Sequence, residues 1–138
     1  MIVAHAKSRR LTVLLADDDL SFGRGLALLL RPHFHTLIAS GSADALARCD
    51  EACPDAALID LDMPTYLAPH PEEEGMHLAR ALKQRFGTDF PIILVTRHEL
   101  REIPQPFLAE VDSFFHKPLC AESLVSRLHT LIQESGDR

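Results

Sequence analysis

Leu11–Ala16 (LTVLLA) is a short, continuous apolar run ending in three aspartates, the pattern of a strand buried on both faces. Phe22, Leu26, Leu29 and Leu30 follow at helical spacing, with Asp19 or Ser21 placed to cap the helix and Pro32 to close it. Gly23 and Gly25 weaken that helix, so packing must support it. The pattern then repeats. His35–Ala39 (HTLIA) reads as a strand, Ser42 as the cap of an alanine-rich helix reaching about Cys53, and Ala56–Asp60 (AALID) as another buried strand. After a polar stretch, Pro71 and three glutamates make a good helix start, because proline suits the first turn and carboxylates favour the positive end of the helix dipole. Leu78, Ala79, Leu82 and Phe86 supply its inner face. Pro91–Thr96 (PIILVT) predicts a fourth strand and Asp112–His116 (DSFFH) a fifth. Between them, Pro104 and Pro106 forbid a long helix, leaving a loop and short turns over Pro104–Glu110. Leu124, Val125, Leu128, Leu131 and Ile132 mark a terminal amphipathic helix.

Five βα repeats with short loops predict a parallel sheet covered by helices on both faces, with right-handed crossovers. The domain is expected over residues 11–135, preceded by a tail over 1–10. The 138 residues are one domain's worth, enough to bury a core without metal or disulfide staples. The insertion-like segment is Thr65–Glu74, rich in Pro, Glu and His, which reads as a solvated surface loop.

Charge narrows the function classes. Twenty acidic against 14 basic residues give a net charge of −6, which argues against direct nucleic-acid binding or an anionic membrane surface as partner. Met1–Arg10 lacks the apolar core of a signal peptide, and no apolar run approaches a membrane span, so a cytoplasmic protein is expected. Cys49, Cys53 and Cys120 are then reduced thiols, and the eight histidines show no zinc-site spacing.

Candidate chemistry collects at the strand ends, where open α/β sheets bind ligands. The first strand delivers Asp17, Asp18 and Asp19, the third Asp60 and Asp62, the fourth Thr96, and the fifth Lys117 and Pro118. Gathered carboxylates raise one another's pKa, a penalty that a bound cation removes. Mg²⁺ is the cation indicated, since it takes oxygen ligands beside a phosphate. Lys117 can hold a free carboxylate or a phosphoryl oxygen, and Thr96 can donate to another oxygen of that group. Asp60 is then the nucleophile of a phosphoryl transfer that forms a labile acyl phosphate.

These residues carry a family resemblance. LLADDD (14–19), ALIDLDMP (57–64), ILVT (93–96) and FFHKP (114–118) together resemble the receiver domain of bacterial two-component response regulators, over about Leu11 to Ile132. The resemblance implies a doubly wound, flavodoxin-like five-stranded sheet of order 2-1-3-4-5. It implies Mg²⁺ held by Asp17, Asp18, Asp60 and the backbone carbonyl of Asp62, with Asp18 the more direct member of the acidic pair. Asp60 becomes the phosphoacceptor, Thr96 the switch hydroxyl, Phe114 the aromatic switch and Lys117 the phosphate-binding lysine, with a cis bond to Pro118. The implied partner is a sensor histidine kinase or a histidine phosphotransfer protein, and the implied role a conformational signalling switch rather than an enzyme. Homodimerisation is left open.

Three departures stand out. Thr65–Glu74 intervenes before Gly75 where the family has a short loop. Arg97 follows Thr96 in place of a small residue and stands to gate the pocket. Glu110-Val111 replaces the usual Gly-Ala before the fifth strand, which makes the fourth helix atypical. Two rival readings follow from the same residues. Asp60-Leu61-Asp62 also looks like the Asp-x-Asp of haloacid-dehalogenase-type phosphatases, but that reading gives Asp17 and Asp18 no role. The other is a phosphorylation-independent, receiver-like interaction domain. No effector domain follows the last helix, so the chain reads as a stand-alone receiver or the receiver portion of a longer regulator.

Overall fold

The computed structural model describes residues 10–137. Strands β1 (Thr12–Ala16), β2 (His35–Ala39), β3 (Ala56–Ile59), β4 (Ile92–Thr96) and β5 (Ser113–His116) alternate with helices α1 (Leu20–Leu30), α2 (Ser42–Glu51), α3 (Glu74–Phe86), α4 (Gln105–Leu108) and α5 (Ala121–Gly136). The strands form one parallel sheet in the order β2-β1-β3-β4-β5, as the sequence predicts. All but Arg10 of the tail expected over 1–10 lies outside the described residues.

The continuous apolar runs are explained by burial on both faces. Every residue of β3 and β4 is buried, and successive side chains point to opposite sides of the sheet. Leu14, Ala16, Ala57, Ile59, Ile92 and Leu94 face α2, α3 and the α4 region. Val13, Leu15, Leu58, Ile93 and Val95 face α1 and α5. Burial of each large aliphatic side chain contributes about 1.5–3 kcal/mol.

Several boundaries differ from the pattern reading, each for a local reason. Asp19, rather than Ser21, caps α1: its side chain accepts from the Phe22 N–H. Ser42 is the first residue of α2, not its cap, and Gly41 precedes it without a side-chain cap. That helix stops at Glu51, short of Cys53, where the chain turns extended at Ala52 ahead of Pro54. Asp112 falls just outside β5; its carboxylate accepts from the Ile92 N–H and from the Lys83 ammonium.

Two segments set this domain apart. Between β4 and β5 a single 3-10 turn (Leu100–Glu102), closed by a reciprocal Glu99–Glu102 capping box, precedes a one-turn α4. Ile103 and Phe107 are buried there and join the core on the α2 and α3 side of the sheet. Between β3 and α3, a 3-10 turn (Pro71–Glu73) leads into the helix. The segment before it is not merely solvated. Glu74 is fully buried, and its carboxylate accepts from the backbone N–H groups of Tyr66, Leu67 and Ala68.

Candidate functional site

The sheet ladder continues one step past the strands and aligns the site. Ala16 pairs with Ile59, so Asp17 and Asp60 emerge side by side; the Asp60 N–H donates to the Ala16 carbonyl and the Asp17 N–H to the Ala39 carbonyl. Likewise the Lys117 N–H donates to the Thr96 carbonyl. Register alone therefore places two carboxylates, a hydroxyl and an ammonium on one rim.

Lys117 ties the group together. Its Nζ lies 2.7 Å from Asp17 Oδ2 and 3.1 Å from Asp60 Oδ2, and its side chain is 4% exposed. The other oxygens of these carboxylates are also held. Asp17 Oδ1 accepts from the Asp19 N–H at 2.9 Å, and Asp60 Oδ1 from the Leu61 N–H at 2.7 Å. Burial pushes the Asp17 carboxyl up, against the pull of Lys117 and the Asp19 N–H. Burial also opposes the Lys117 charge, but Asp17 and Asp60 outweigh it and hold the ammonium above its ordinary range. Thr96 is buried, and its Oγ1 accepts from the His98 N–H, leaving its own proton for a ligand.

Asp17, Asp18 and Asp60 each offer one carboxylate oxygen within 4.8 Å of the others. Three carboxylates against one ammonium leave an uncompensated negative charge, and oxygen donors at this spacing suit a hard divalent cation. The donor set therefore fits Mg²⁺.

The surroundings of Asp60 are close-packed. The Gly75 N–H donates to the Leu61 carbonyl, and a Cβ built on Gly75 would lie 2.2 Å from the Asp60 carbonyl oxygen. Only glycine allows α3 to start this close to the phosphoacceptor candidate. At the mouth, His98 Nε2 lies 2.5 Å from Asp62 Oδ2, and its Nδ1 3.6 Å from Glu102 Oε1. The hydrogen bond with Asp62 raises the His98 pKa above its ordinary 6.5. Arg97 is 73% exposed and reaches Asp19 Oδ2 at 4.0 Å, so it stands at the rim of the acidic cluster. Phe114 is half-buried against the α3 and α4 side of the core, and the Lys117–Pro118 bond is cis.

Asp17, Asp18, Asp60, Thr96 and Lys117 are thus brought together, with Asp62 and Arg97 at the edge. Sequence reasoning missed His98, which contacts Asp62, and Phe22, whose ring lies against Lys117, as neighbours of the site, and it missed Glu74 as the anchor of the loop before α3. Phe22 was legible only as an inner-face residue of α1, and Glu74 only as a charge favouring a helix start. His98, two residues past a strand-end threonine, carries no spacing that marks it.

Such a sheet, with an acidic pocket where the strand order reverses, defines a doubly wound α/β domain whose chemistry sits at its carboxyl rim. The profile of the response regulator receiver domain matches residues 13–129, and the chain belongs to that family. The sensory transduction protein RegX3 of Mycobacterium tuberculosis is 30% identical over 129 residues, covering 91% of this chain and 52% of RegX3. The DNA-binding response regulator MtrA of Mycobacterium leprae is 26% identical over 130 residues, covering 93% of this chain and 54% of MtrA. The chain spans about half the length of the curated relatives it matches. Among solved structures, a CheY-like receiver domain protein from Methanospirillum hungatei JF-1 shares the fold with a TM-score of 0.77 at 20% identity, covering 94% of this chain and 98% of that one. NtrX from Brucella abortus superposes with a TM-score of 0.79 at 18% identity, covering 93% of this chain and 28% of NtrX. Receiver domains of this family act in two-component signalling, interact with histidine kinases and typically bind Mg²⁺ through an acidic pocket. Among the described residues, no helix is long and apolar enough to cross a membrane.

Proposed function

We propose that this domain, spanning residues 11–135, accepts a phosphoryl group on Asp60 from the phosphohistidine of a partner kinase or phosphotransfer protein in the cytoplasm. The observation that carries the reading is the Lys117 ammonium bridging Asp17 and Asp60 beside the third carboxylate, Asp18, and the buried Thr96. Asp17, Asp18, the Asp60 carboxylate and the Asp62 backbone carbonyl would hold Mg²⁺. Bound there, the ion supplies positive charge to the transferring oxygens.

The remaining work falls to the chain. An Asp60 carboxylate oxygen attacks phosphorus, the P–N bond to the donor imidazole breaks, and its electron pair stays on the ring nitrogen, which then takes a proton. The Leu61 N–H keeps the Asp60 carboxylate in one orientation as it attacks. Lys117, already 3.1 Å from Asp60, shifts its ammonium from the carboxylate to a phosphoryl oxygen. The Thr96 hydroxyl turns its free proton to a second phosphoryl oxygen. Its movement, followed by Phe114, would bias the domain between two packings of similar energy.

Intact mass after incubation with Mg²⁺ and acetyl phosphate tests this directly, with Asp60→Asn as control. A gain of one phosphate in the wild type alone supports Asp60 as acceptor. An equal gain in both proteins would place the phosphate elsewhere, and none in either, with a kinase donor also failing, would end the reading.

A further inference from the structure

A lysine at this position has a handling problem. Its ammonium sits on a flexible four-carbon stem and must change partners, from a carboxylate to a phosphoryl oxygen, without leaving the pocket. Two of its three N–H groups are taken by Asp17 and Asp60. The Phe22 ring occupies the third side, with Nζ 4.2 Å from its centroid. That is well inside the range of a cation–π attraction, which strengthens where water is excluded, as it is around this side chain.

Local structure fixes the ring there. Asp19 caps α1 by accepting from the Phe22 N–H, which sets the first turn and points position 22 at the sheet. Behind the ring, between α1 and the strands, a gap of only about 10 Å³ is lined by Leu15, Asp17, Leu26, Leu58, Asp60 and Val95. That is at the lower limit for one water, so a smaller side chain at position 22 would admit solvent to the ammonium.

We propose that Phe22 is a positioning residue for phosphoryl transfer, whose ring face holds the Lys117 ammonium in place while it exchanges the Asp60 carboxylate for a phosphoryl oxygen. The inference rests on the reading of Asp60 as phosphoacceptor. The ring suits the task because it is uncharged. Its attraction for the ammonium persists when Asp60 is esterified, whereas a third carboxylate would compete with the incoming phosphoryl oxygens for Lys117.

The test separates the face of the ring from its bulk. Phenylalanines carrying one, two and three ring fluorines, placed at position 22 of the full chain, keep nearly the same shape but progressively lose the negative face. The rate of phosphate gain from acetyl phosphate and Mg²⁺, followed by intact mass, is expected to fall with each fluorine. The full series should span about three- to ten-fold. Phe22→Tyr should keep a rate near wild type, and Phe22→Leu should lose at least as much as the trifluorinated chain. Thermal midpoints across the fluorinated series should stay level, since a packing role alone is indifferent to fluorine. A flat rate across that series, in a protein that does take phosphate, overturns the inference and leaves the Asp60 reading standing. Rates that fall only in step with thermal midpoint also overturn it. A wild type that takes no phosphate removes both.

Discussion

Individual side chains at this site answer to partners that spacing does not reveal. Asp17, Asp60, Thr96 and Lys117 were legible because each lies at or one step past the end of a predicted strand, so the strand pattern fixes which rim they occupy. His98 was not, because its role depends on where the chain turns after β4. Its contact with Asp62 links two residues 36 apart in sequence across the mouth of the pocket. The consequence is measurable. The Asp62 hydrogen bond raises the His98 pKa in the folded state, so this pair adds stability that is fully present below the ordinary 6.5 and fades as pH rises through the higher folded value. An NMR titration of the His98 ring should show a midpoint above 6.5 in the wild type that falls back in Asp62→Asn. A His98 midpoint unmoved by that substitution would mean the pair does not form in solution.

At the level of elements, the strands were read to within a residue or so; β1, β3 and β4, buried on both faces, leave an unbroken apolar signature. Helix ends were read less well. The α2 end at Glu51 and the absence of a Ser42 cap depend on backbone geometry that residue type only hints at. The 65–74 segment is largely exposed, as its Pro, Glu and His content predicts, but Ala68 and Glu74 within it are buried. Burial would push the Glu74 carboxyl up, but its polar neighbours, with the three backbone N–H groups that donate to it, outweigh it and hold it below its ordinary 4.5. A depressed folded pKa stabilises the fold above the unfolded value and loses that contribution as pH falls through the folded one. Glu74→Ala should therefore cost about 2–3 kcal/mol at neutral pH by leaving those donors without their acceptor. Urea melts across the acid range should also show a shallower pH dependence than in wild type. A loss under half a kcal/mol, or an unchanged pH profile, would show the segment held by something other than this carboxylate.

For the molecule as a whole, the acidic cluster carries a stability penalty that a divalent cation should relieve. At ten times its Kd, Mg²⁺ should add about 1.4 kcal/mol, a rise of a few degrees in thermal midpoint. Asp18→Asn should abolish most of that rise without disturbing the Lys117 hydrogen bonds, which go to Asp17 and Asp60. Calorimetric scans with and without Mg²⁺ decide the point, and an equal rise in both proteins would place the ion elsewhere. Global architecture was the most legible level of all, because five βα repeats leave few alternatives once crossovers are right-handed.

The sheet itself has a kinetic corollary. Each ladder joins segments far apart in the chain: Val13 meets Thr36 on one side and Ala56 on the other, and Ile93 meets Ser113. Every strand pair among the described residues is parallel, so loops of some twenty residues or more must close before any of them is rewarded. Such high contact order puts refolding on a slower timescale than that of a helical bundle of this size. Until β1 and β3 meet, the apolar strands are unpaired, and that interval is when the chain is most exposed to self-association.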